Sequence, residues 1–168
     1  MKPLVLPLFT CLGVCLAACQ PPVDRTLERP RFQQDGSTYE WALAHGVTGS
    51  LLLVRVDGAG RGIPEIVMTC HDRTRGGLQI RRPEAEATPA SIIAGDTTFD
   101  VDLTPVSDFA GVVQGEGYFP NGWFQALAKA AAIRIDYGGE RLEFPGPGAP
   151  SVNHYKRYCT QLARRGRG

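Results

Sequence analysis

Along most of this chain apolar and polar residues alternate in short runs, each broken by glycine, proline, asparagine or aspartate, a pattern that predicts strands joined by tight turns. The clearest run is Phe99-Asp100-Val101-Asp102-Leu103, whose period of two sends the apolar side chains inward and the aspartates to water. Residues 39–43 alternate in the same way, and the apolar run 51–56 predicts a strand buried on both faces for part of its length. Residues 65–70 and 77–81 flank a polar turn at 71–76 and predict an antiparallel hairpin. Residues 91–94 add another strand, and residues 109–119 one loosened by glycines. A last hairpin is signalled by 133–137 and 141–144 on either side of Gly138-Gly139.

The period changes in two places. From Asn121-Gly122 through Ala132 the spacing predicts a helix with Phe124, Leu127, Ala128 and Ala131 on one face. After the proline-glycine loop 145–150, Ser151 is placed to cap a final helix. Along it Val152, Tyr155, Cys159 and Leu162 recur at spacings of three and four and form one apolar stripe. Many short strands with evenly placed turns predict a mainly β fold, a β-sandwich or partly open barrel, with two short α-helices.

The N-terminus follows a different logic. One positive charge at Lys2, an apolar stretch and then small residues make the layout of a secretory signal over residues 1–18. The stretch is too short for a spanning helix, which needs roughly 20 apolar residues, and Pro7 and Gly13 weaken it further. Leu16-Ala17-Ala18-Cys19 resembles the bacterial lipobox, which implies cleavage before Cys19 and lipidation of that residue. In the same resemblance Gln20, rather than aspartate, implies delivery to the outer membrane. Residues 19–36 then read as the lipidated cysteine and a flexible tether, 37–163 as a single domain, and 164–168 as a basic disordered tail.

Of five cysteines, Cys11 and Cys15 leave with the signal and Cys19 is claimed by lipid. Cys70 and Cys159 remain, and in an oxidising compartment they are expected to form one disulfide tying a strand to the last helix. The order of strand with cysteine, hairpins, helix, strand pair and cysteine-bearing helix resembles envelope β-sandwich proteins of proteobacteria, including the invasion-associated locus B type. Such a likeness of layout transfers a fold more safely than a role.

Charge narrows the partners. The formal net charge is +1, carried by Lys2 in the signal, so the mature body lacks the positive field that nucleic-acid binding needs. The expected partners are the membrane, through the lipid, and another envelope protein or a cell-wall polymer. No cofactor is expected, and no metal, because His45, His71 and His154 lie in three separate segments.

Candidate chemistry is sparse. Gly-x-Ser-x-Gly is absent, and the serines read as turn and cap residues. Asp100 and Asp102 share a strand face at a carboxylate-pair spacing, but the alternation makes that face the outer one. His71 with Arg73, Arg75, Arg81 and Arg82 gathers around one predicted hairpin, where arginine forks suit carboxylate or phosphate groups of an anionic ligand. Trp41, Trp123, Tyr118 and Phe119 read as core aromatics. The sequence thus points to a non-enzymatic, lipid-anchored envelope protein, with an inhibitor of a secreted enzyme such as lysozyme, or a small hydrolase, as rivals.

Overall fold

The computed structural model describes residues 31–44, 49–82, 86–107 and 110–165. Ten strands and two helices follow in the order β1 (Arg31–Gln34), β2 (Ser37–Ala44), β3 (Gly49–Val56), β4 (Gly62–Cys70), β5 (Arg75–Arg81), β6 (Thr88–Ala94), β7 (Thr97–Pro105), β8 (Val112–Tyr118), α1 (Trp123–Lys129), β9 (Ala132–Tyr137), β10 (Glu140–Pro145) and α2 (Ala149–Arg165). All pairings are antiparallel, and the strand order is β1-β2-β3-β4-β5-β8-β7-β6-β9-β10. The sheet curls into a nearly closed barrel-like body, as the mainly β pattern predicts. Its two ends meet through aromatic side chains: Phe32 of β1 and Tyr39 of β2 both stand against Phe144 of β10, with ring centroids 6.5 and 5.9 Å away.

Alternation decides what is inside. Trp41, Leu51, Leu53, Ile66, Met68, Ile80, Ile92, Phe99, Leu103, Ile133 and Ile135 are all buried in one core, with exposed Asp100 and Asp102 on the opposite side of β7. Burying a side chain of that size contributes about 1.5 to 3 kcal/mol against leaving it in water. The stripe Val152, Tyr155 and Cys159 of α2 closes the same core, and α2 packs on α1 and against β2 and β3. The disulfide joins Cys70 at the end of β4 to Cys159 in α2, with Cα atoms 5.6 Å apart across 89 residues of sequence. On the other face of β2, β3 and β4 a smaller apolar cluster forms from Ala42, Ala44, Leu52 and Val54 with Val67 against it. This is the two-sided burial that the run 51–56 predicts.

Glycines in β8 serve the curl. A Cβ at Gly115 would run into the carbonyl of Asp102, and one at Gly117 into that of Asp100, so their absence lets β7 cross β8 at close range.

Several boundaries differ from the sequence pattern. Residues 31–34 pair with β2 through Asp35-Gly36, both at positive φ (51° and 74°), so the folded sheet starts before residue 37 and inside the stretch assigned to the tether. Asp-Gly flanked by strand residues is a type I′ hairpin signal, and here it acts as one. Helix α1 ends at Lys129 rather than Ala132, because Ala130 is extended (φ −63°, ψ 124°) and the alternation of Ile133 and Ile135 claims Ala132 for β9. Trp123 and Leu127 are its buried pair, while Phe124 and Ala128 are half-buried and Ala131 is exposed. Ser151 caps nothing: α2 begins at Ala149 and runs 17 residues, so it is not short, and Ser151 lies buried within its first turn. Cys19, His45, Phe109 and residues 166–168 lie outside the described residues.

Candidate functional site

The hairpin turn between β4 and β5 is held by Asp72. Its carboxylate accepts hydrogen bonds from the Thr74 amide (2.7 Å), the Thr74 hydroxyl (2.8 Å) and the Arg75 amide (2.9 Å). These donors, the Thr74 amide foremost, hold the carboxyl below the ordinary aspartate range. The turn so fixed presents Arg73 and Arg75 to solvent.

The five residues of the predicted anionic site do not stay together. Arg75 and Arg81 stand at opposite ends of β5, six residues and so about 20 Å apart at strand rise. At the far end Arg81 donates to the carbonyl of Pro64 (3.3 Å), and Arg82 lies 3.7 Å from Glu65. Glu65 also accepts from Arg55 (2.7 Å), and that hydrogen bond and charge raise the Arg55 pKa. The far pair therefore belongs to the packing around a half-buried carboxylate. His71, Arg73 and Arg75 remain at the turn.

His71 leads into a groove that the sequence pattern leaves unassigned. On the outward face of the sheet, in register, stand Thr69 and His71 from the β4 side, Gly77 and Gln79 of β5, and Gln114 and Glu116 of β8. His71 Nε2 lies 3.2 Å from Glu116 Oε1. His71 directly follows β4 and Glu116 lies on β8, with β5 between them, a gap of about 10 Å, so their side chains meet across the intervening strand. Gly77 makes this possible: a Cβ there would stand 2.7 Å from Thr69 Oγ1 and 3.7 Å from His71 Nε2. The resulting groove, of about 360 Å³, is also lined by Thr104 of β7, whose hydroxyl donates to the Gln114 carbonyl at 3.4 Å.

Beyond Glu116, two residues on along β8, is Tyr118. It is 76% exposed and pairs directly with Arg75. The other predicted core aromatics are interior: Trp41 and Trp123 are each 1% exposed, and Phe119 packs against Phe99 and Trp123. Tyr118 is the exception because β8 alternates, with Gln114, Glu116 and Tyr118 outward and the glycines inward. That alternation, together with glycine at 77, is the sequence signal for the groove.

Elsewhere the polar groups are tied locally. Asp100 and Asp102 are exposed, and Ser91 donates its hydroxyl to Asp100. Among the described residues, no group of three or more His, Cys, Asp or Glu stands where it could hold a metal ion, and no helix is long and apolar enough to cross a membrane.

No protein-family model matches the chain, and no curated protein matches it. Among solved structures, the crystal structure of invasion associated protein B from Bartonella henselae is a weak neighbour, with a TM-score of 0.46 and 11% identity over 76% of this chain and 94% of that one. A likeness of that size carries neither a role nor a site across.

Proposed function

We propose that the chain is a lipid-anchored protein of the bacterial cell envelope, acylated at Cys19, whose β-rich domain has a non-enzymatic binding or accessory role at the outer membrane or in the periplasm. The observation that carries this reading is the combination of Leu16-Ala17-Ala18-Cys19 with the Cys70–Cys159 disulfide. A buried disulfide between distant residues is a device of oxidising compartments, which is where a lipobox delivers its protein. Two or three acyl chains on Cys19 would hold the domain firmly, since each buried CH₂ contributes about 0.8 kcal/mol.

A binding role is supported by the outward face of β4, β5 and β8. Its carboxamides and hydroxyls, with one imidazole–carboxylate pair, are a set suited to hydrogen-bonding a ligand, and Arg73 and Arg75 at its end suit an anionic group. The partner is then a cell-wall polymer or another envelope component.

Mass analysis of the protein isolated from its own membranes tests the anchor. The expected product begins at Cys19 with diacylglycerol on the sulfur, and Cys19→Ser is expected to release the protein from the membrane fraction. An N-terminal peptide that carries Cys19 as a free thiol would overturn the anchor.

A further inference from the structure

We infer that the groove over Gly77 holds a saccharide chain, with Tyr118 as its stacking platform and Arg75 receiving a carboxylate borne by the sugar. This deepens the binding role proposed above by naming the ligand class and the residues.

The groove's chemistry selects against other ligands. Gln79 and Gln114 each present donors and an acceptor, the Thr69 hydroxyl does the same, and the Thr104 hydroxyl, which donates to the Gln114 carbonyl, adds an acceptor, which matches a ligand whose own hydroxyls both give and accept. A polyphosphate or nucleic-acid backbone fits poorly, because Glu116 puts a carboxylate in the groove beside His71. An apolar ligand fits no better, because the outward side chains along it are polar. The volume of about 360 Å³ falls within the range of small-ligand sites, about 300 to 1,000 Å³.

Tyr118 supplies what hydrogen bonding alone lacks. A flat apolar ring, 76% exposed and about 7 Å along the strand from Glu116, offers its face to the C–H side of a pyranose, while its hydroxyl stays in water. Directly across the ladder is Arg75, on the same outward face. Cationic charge therefore lies at this end of the groove, which fits a neutral sugar body carrying one acid group. Gly77 keeps the floor low, and any side chain there would press on Thr69 and lie close to His71.

The test uses the protein as the cell processes it, held in mild detergent, titrated with N-acetylglucosaminyl-N-acetylmuramic acid and with the neutral disaccharide N,N′-diacetylchitobiose. Backbone amide shifts are read by NMR. Shifts are expected at Gly77, Gln79, Gln114, Glu116 and Tyr118, with the acidic disaccharide bound more tightly. Tyr118→Ala is expected to weaken both ligands by about fivefold. Arg75→Ala is expected to remove a preference of about fivefold for the acidic one while leaving the neutral one unchanged. Arg75, Gln79 and Tyr118 are each exposed or groove-facing, so an unchanged amide spectrum elsewhere shows that the alanine variants fold. The inference is overturned if neither saccharide moves these amides at millimolar concentration, if the shifts gather on another face, or if Tyr118→Ala and Gln79→Ala both bind as the parent does. An acylated protein with an inert groove sinks this inference alone, whereas an unacylated protein that binds saccharide sinks only the anchor.

Discussion

Trp41 of β2 donates its indole N–H to the carbonyl of Pro145 at the end of β10, at 2.8 Å and across 104 residues of sequence. These strands lie near opposite ends of the strand order, so this one hydrogen bond crosses the seam at which the sheet curls back on itself. Phe32, Tyr39 and Phe144 stack over the same seam. Closure is thus made by side chains, with aromatic area supplementing a directed bond. Trp41→Phe is expected to lower stability by about 2 to 4 kcal/mol, from the unpaired Pro145 carbonyl plus the lost packing volume. Urea unfolding measures it; a loss under about 0.5 kcal/mol would mean that the seam closes without this bond.

The Cys70–Cys159 bond spans most of the domain, and α2 meets the sheet where it forms. Constraining a loop of 89 residues reduces the entropy of the unfolded chain by an amount equivalent to about 4 to 5 kcal/mol. Comparing unfolding midpoints of the oxidised protein and the Cys70→Ala/Cys159→Ala variant is expected to show a loss of that order. Two alanines fill the same site with less volume and leave no thiol, so equal midpoints would contradict a stabilising staple.

How much of this was legible in the sequence follows from which forces are local. The alternation Phe99-Asp100-Val101-Asp102-Leu103 specifies β7 and its buried face, and Gly138-Gly139 specifies the β9–β10 hairpin, because period and turn chemistry act over a few residues. The Cys70–Cys159 pairing is legible on the expectation that Cys11, Cys15 and Cys19 are spoken for by signal and lipid, which leaves two cysteines to join. The limits of α1 are less legible, since the alanines of 128–132 suit a helix and only the demand of β9 for Ala132 ends it. Least legible is the grouping of His71, Arg73, Arg75, Arg81 and Arg82. Neighbours in sequence sit at two ends of an extended strand, and the residues His71 does meet come from β8, some 45 positions later, counting from 71 to 116. The insertion of β8 beside β5 is a long-range choice that no local pattern encodes.

Tyr155 presents the opposite case to Trp41. It is 1% exposed on the inner face of α2 against Phe124, and its hydroxyl finds no hydrogen-bond partner among the described residues. Burial pushes the phenol far above its ordinary pKa, so the group stays neutral throughout the accessible range. A buried hydroxyl without a partner costs about 1 to 3 kcal/mol, and a ring of the same shape without it removes that cost. Tyr155→Phe is expected to raise the unfolding midpoint or leave it unchanged. A clear drop in thermal unfolding temperature would show that the hydroxyl is satisfied in solution.

The β4–β5 turn depends on protonation at Asp72. In the folded chain the Thr74 amide and hydroxyl and the Arg75 amide favour the charged carboxylate, so its pKa is lower folded than unfolded. The sign follows from linkage: the contribution is fully present above the unfolded carboxylate value, about pH 4, and is lost as pH falls through the lower folded value. Asp72→Asn keeps the shape and one acceptor oxygen but removes the charge. Above about pH 5 it is expected to destabilise the protein by about 0.5 to 1 kcal/mol, the discounted value for an exposed charge-assisted turn, and the difference from the parent is expected to shrink below about pH 3. Because the turn positions Arg73 and Arg75, the same substitution is expected to raise amide exchange across residues 72–75 at neutral pH and to leave β7 unchanged. Hydrogen exchange followed by NMR reads this directly. Equal exchange in parent and variant would mean that backbone pairing alone, through the His71 and Asp72 amides to the Arg75 carbonyl, holds the turn.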